Sequence, residues 1–119
     1  MEKLVITKDY QGIVDDGYRY KLNGNLISAT SIDIQLDKGL YVQGFIEAGG
    51  SIKAGGSIEA GEGILAQLAI TCNGTLKAKL GIYSGVCAWK EPTEAEQTIT
   101  CGKLDGTVKY GTLKLIESE

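Results

Sequence analysis

The 119-residue chain contains no histidine, one proline and one arginine, and nowhere runs to the ~20 consecutive apolar residues of a membrane span. Without histidine there is no imidazole base and no commonplace metal ligand. Cys72, Cys87 and Cys101 are odd in number and far from any C-x-x-C spacing, so no metal site is expected and reduced thiols in a cytoplasmic setting are. With Arg19 as its only arginine and a net charge of −3, the chain lacks the basic stripe that phosphate neutralisation requires, which argues against direct nucleic-acid binding. The opening Met1-Glu2-Lys3-Leu4-Val5-Ile6 reads as too short and too acidic for a signal peptide. Seventeen glycines, roughly twice average usage, exclude an ordinary helical bundle. At this length one domain spanning 1–119 is expected.

What the chain does have is a repeat. Ser51-Ile52-Lys53-Ala54-Gly55-Gly56 is followed by Ser57-Ile58-Glu59-Ala60-Gly61-Glu62, a period of six. In that phase Ile34, Leu40, Ile46, Ile52, Ile58, Ile64, Ile70, Leu76 and Ile82 are all aliphatic. At a composition of about one Leu, Ile or Val in four, chance gives such a run roughly once in 260,000 tries for a given phase. A second column comes two residues later: Leu36, Val42, Ala48, Ala54, Ala60, Ala66, Cys72, Ala78 and Ser84. A spacing of two puts both columns on one face of a strand, whereas a helix would rotate them about 200° apart. Gly49, Gly50, Gly55, Gly56, Gly61 and Gly74 then read as corners, where positive φ costs least. None of these glycine pairs is a phosphate loop, because no helix opens after them and no Gly-Lys-Ser follows, so no cofactor is expected.

Strands this short bury their inward residues only if the chain coils on itself. The predicted fold is all-β: a short single-stranded β-solenoid of about three 18-residue coils over residues 31–84. Ile34, Ile52 and Ile70 would stack on the first side, Leu40, Ile58 and Leu76 on the second, Ile46, Ile64 and Ile82 on the third. The outward positions are then Gln35, Lys53 and Thr71; Tyr41, Glu59 and Lys77; Glu47, Leu65 and Tyr83. Phe45, Leu65 and Tyr83 make an apolar strip, a candidate interface that Tyr41 and Trp89 extend. An alternative stays open, in which the 85–98 loop folds over the strip with Trp89 as its lid.

Residues 1–30 lose the period and read as an N-terminal β-meander cap, with Asp15-Asp16-Gly17 a hairpin turn. Glu91 to Glu96 suit a loop or one helical turn begun at Pro92. Residues 99–119 suggest one irregular coil or a hairpin. Cys72 falls in the small inward column as a core filler, while Cys87 and Cys101 bracket the loop and are able to approach; no disulfide is expected. Glu47, Glu59 and Glu62 alternate outward as a solvated face, so no catalytic residue is assigned.

The Ser-Ile-Lys-Ala-Gly-Gly and Ser-Ile-Glu-Ala-Gly-Glu units, with Gly74-Thr75-Leu76-Lys77-Ala78, resemble the repeats of bactofilins over residues 31–84. That resemblance implies a polymer-forming bacterial cytoskeletal β-helix. The period of six is also similar to that of the left-handed hexapeptide acyltransferases, whose acyl transfer depends on a histidine this chain lacks. The expected function is therefore non-catalytic: a β-solenoid acting through protein–protein contacts and self-assembling as a homo-oligomer, most simply a dimer. The other reading is a small phage-encoded inhibitor, anti-CRISPR-like, that occludes a host protein complex. No membrane partner is expected.

Overall fold

The computed structural model describes residues 3–87 and 90–116. Nearly all regular structure in it is β. Four strands open the chain: β1 (Leu4–Ile6), β2 (Ile13–Asp15), β3 (Arg19–Leu22) and β4 (Leu26–Ser28). The hexads supply β5 (Ile32–Ile34), β6 (Gly39–Val42), β7 (Ile46–Ala48), β8 (Ile52–Ala54), β9 (Ile58–Ala60), β10 (Ile64–Ala66) and β11 (Ile70–Cys72). A long β12 (Thr75–Ser84) comes next, then a 3-10 turn at Ala95–Gln97 and β13 (Thr98–Cys101), β14 (Lys103–Tyr110) and β15 (Thr112–Leu115).

Each hexad is strand because its outer residues are apolar and its centre is free to face out. Ile52 and Ala54 are buried around exposed Lys53, and Ile46 and Ala48 around exposed Glu47. From β5 to β11 every third strand returns to pair in parallel with the one before it. Six strands form one sheet, β1-β5-β8-β11-β13-β15. In it the smallest extent of the molecule, 24 Å, equals five interstrand steps of ~4.8 Å.

The core is a set of stacked columns. Leu40, Ile58 and Leu76 lie in register, as do Ile46, Ile64 and Ile82, each pair separated by the expected eighteen residues. The first column differs from expectation: Ile52 and Ile70 pair, but the residue opposite Ile52 is Ile32, twenty positions back. Ile34 lies instead opposite Ala54, in the second inward column. The cause is a longer corner at 35–38. From Ile32 to Leu40 the chain spends eight residues where other hexads spend six, which leaves Leu36 half-buried in the corner.

That insertion hides a repeat that continues upstream. Tyr20, Leu26 and Ile32 are six apart and point inward, two positions out of phase with the hexads from Leu40 onward. Residues 1–30 are accordingly not a meander. Strands β1, β3 and β4 pair in parallel with β5, β6 and β7, and the only antiparallel pair among the described residues is β2 with β3, the hairpin expected at Asp15-Asp16-Gly17. This end and the long corner are tied together: Tyr20 Oη donates to Asp37 at 2.7 Å, and Lys38 Nζ donates to Asp15 at 2.7 Å.

Nor do the strands sort into three separate ladders. Because β12 runs unbroken from Thr75 to Ser84, it joins β9 along its first half and β10 along its second, fusing two sides into one nine-stranded mixed sheet. Strand β14 pairs with β12 along both halves with register shifts, and β15 pairs with β13, so residues 98–116 form an irregular turn and not a hairpin.

The repeat glycines play a different part from the one expected. None of Gly49, Gly50, Gly55, Gly56, Gly61 and Gly74 has positive φ. At Gly49 a Cβ would overlap the Ala29 carbonyl, so this glycine permits close backbone approach between neighbouring corners.

Candidate functional site

The outward residues of the third side fall on β4, β7, β10, β12 and β14. Their register aligns Ile27, Glu47, Leu65, Tyr83 and Tyr110. Ile27 is 57% exposed and Tyr110 48%, far from the burial such side chains ordinarily reach. Beside this row runs a groove of about 260 Å³ that brings together Phe45, Leu65 and Tyr83 with Gly63 and Gly81. Gly63 precedes Ile64, and Gly81 precedes Ile82, as Phe45 precedes Ile46. The two positions equivalent to Phe45 thus carry no side chain, which leaves room beside its half-buried ring. Glu47 is the one charge in the row.

Tyr41 lies elsewhere. Its row is the second side, Lys21, Tyr41, Glu59, Lys77 and Asp105. Arg19 Nη1 donates to Glu59 Oε1 at 2.8 Å, and its guanidinium carbon stands 4.5 Å from the Tyr41 ring centroid and 5.1 Å from that of Tyr18. Lys77 Nζ stands 3.9 Å from both Glu59 and Asp105. The cleft of about 270 Å³ here is lined by opposite charges that already satisfy one another. Sequence reasoning missed the Arg19–Glu59 pair, since forty residues separate its members and no local spacing signals it.

The first side carries Val5, Asp33, Lys53, Thr71, Thr100 and Lys114, with Asp33 where Gln35 was expected because of the register change. Trp89 lies outside the described residues. Near it, Thr93 and Glu96 form a reciprocal cap at the 3-10 turn: the Thr93 N–H donates to Glu96 Oε1 at 3.0 Å and the Glu96 N–H to Thr93 Oγ1 at 3.2 Å.

All three cysteines are free. Cys72 and Cys101 are buried, each following a residue of the Thr71–Thr100 pair, so Cys101 neighbours Cys72, while Cys87 is half-exposed. Burial pushes the Cys72 thiol up to about 12 and raises that of Cys101, so both stay protonated and poorly nucleophilic. The hydrogen bond to Asp37 raises the Tyr20 phenol to about 12 and holds the Asp37 carboxyl below its usual value. Glu47 and Glu59 sit on different sides, and Glu62 is exposed on a corner. Among the described residues no three His, Cys, Asp or Glu side chains gather to hold a metal ion, and no helix is long and apolar enough to cross a membrane. Comparison with protein-family models, curated proteins and solved structures returns no match.

Proposed function

We propose that the chain is a short single-stranded β-solenoid that works by protein–protein contact, without catalysis, and self-assembles as a homo-oligomer in the manner its bactofilin-like repeats imply. The observation that carries this reading is the outward row of the third side. Ile27, Leu65, Tyr83 and Tyr110 lie in register with a single charge among them, beside a groove that collects Phe45. Apolar residues gathered on one side of a chain whose other rows are charged or polar are what a contact surface requires. Three free thiols suit a cytoplasmic setting. Sedimentation velocity from about 1 µM to about 300 µM, the range in which transient dimers form, tests the reading. A mass rising above 12.6 kDa with concentration supports it, and 12.6 kDa throughout overturns self-assembly.

A further inference from the structure

The two ends of the stacked columns are unlike. At the N-terminal end the inward residues are covered: Ile6, Tyr20, Leu22 and Leu26 are buried, Tyr10 and Ile13 pack against them, and β2 occupies the free edge of β3. At the C-terminal end residues in equivalent register are bare. Leu113 continues the column of Ile99 and Leu115 that of Cys101, yet they are 37% and 51% exposed. Leu104 and Val108, which continue the columns of Leu76 and Ile82, are only half-buried. Among the described residues β15 pairs with β13 alone and β14 with β12 alone, so each presents an unpaired edge beside exposed core. Nothing described on this end resembles the hairpin that closes the other.

We infer that this C-terminal end is where two copies of the chain meet, tail to tail about a two-fold axis, and that the third-side groove stays free for a different partner. The inference deepens the contact-protein reading and rests on it. A second copy fits for geometric reasons. A two-fold axis through the first side lays β15 antiparallel to its own counterpart; the second side then faces the partner's third side, and β14, which spans both, meets its own counterpart too. Each unpaired edge thereby gains a ladder, and Leu113 and Leu115 become interior. The area suffices: half of the 38 × 37 Å cross-section is on the order of 700 Å² per copy, above the ~1,000 Å² total that a specific interface needs. With the N-terminal end covered, the assembly closes at two copies.

Light scattering on size-exclusion fractions of the wild type, Leu115→Lys, Leu113→Lys and Leu65→Asp tests this. Both leucines are exposed in the single chain, so their variants should keep wild-type circular dichroism and melting at low concentration. The wild type should approach twice 12.6 kDa, the two end variants should dissociate at least tenfold more readily, and Leu65→Asp should remain paired. Dissociation of Leu65→Asp with the end variants still paired overturns the end contact and leaves the contact-protein reading standing. Growth beyond two copies overturns the closed form, and a wild type at 12.6 kDa throughout overturns both.

Discussion

Replacing Ile58 by alanine measures how much one member of a column supports. Ile58 is fully buried, with Leu40 before it and Leu76 after it in register. The substitution removes three carbons, about 2.4 kcal/mol of transfer free energy at ~0.8 kcal/mol each. A cavity penalty adds to this, because β6 and β12 are held by hydrogen bonds on either side and cannot close on the gap. The loss should be about 3–4 kcal/mol. For a chain of this size, at roughly 4 °C per kcal/mol, that is a fall in melting temperature of about 12–16 °C. Urea unfolding monitored by far-ultraviolet circular dichroism, below the concentration of any association, reads it directly. Ile27→Ala is the control, since Ile27 is 57% exposed on the outer row, and it should cost under about 0.5 kcal/mol. A loss below about 1 kcal/mol at Ile58, or equal losses at both positions, refutes the assignment of inward and outward columns.

Three further outcomes rest on the same geometry. Gly49→Ala drives a Cβ into the Ala29 carbonyl and should destabilise, whereas Gly55→Ala, with open space and no positive φ, should be neutral or stabilise by about 0.4–1 kcal/mol; denaturant midpoints distinguish them. In the native state at about pH 8 a thiol reagent should titrate Cys87 rapidly and reach buried Cys72 and Cys101 only after denaturation; rapid reaction of all three contradicts the buried column. The Tyr20 phenol is raised, so its contribution to stability is complete below its unfolded value near 10 and is lost as pH climbs toward about 12; the depressed Asp37 carboxyl contributes above its unfolded value near 3.8 and loses that contribution as pH falls below it. Tyr20→Phe should abolish the alkaline part, and an unchanged profile in that variant contradicts the hydrogen bond.

The repeat itself announces the second and third columns, because from Leu40 to Ile82 the corners keep one length and a fixed period of six holds the register. Upstream the same period continues through Tyr20, Leu26 and Ile32, but the two extra residues at 35–38 shift its phase, and Ile34 happens to be aliphatic in the old one. A phase read from one end therefore passes through the insertion unnoticed. The grouping of Leu65 with Tyr83 comes from the same period, and their groove needs in addition the glycines at 63 and 81, which are visible as residues but not as a space. Tyr41 went to another side because its neighbour Arg19 enters from the hairpin, forty residues before Glu59. The bare C-terminal end was invisible for a like reason: Leu113 and Leu115 look like any alternating strand, and only the lack of a covering strand exposes them.

The return of the chain to the same sheet every third strand underlies all of these statements, and cross-strand amide and α-proton nuclear Overhauser contacts measure it most directly. The account predicts contacts twenty residues apart linking β3, β4 and β5 to β6, β7 and β8, and eighteen apart from there to β12, with Ile32 against Ile52. Contacts placing Ile34 against Ile52, or antiparallel contacts between successive hexads, contradict it.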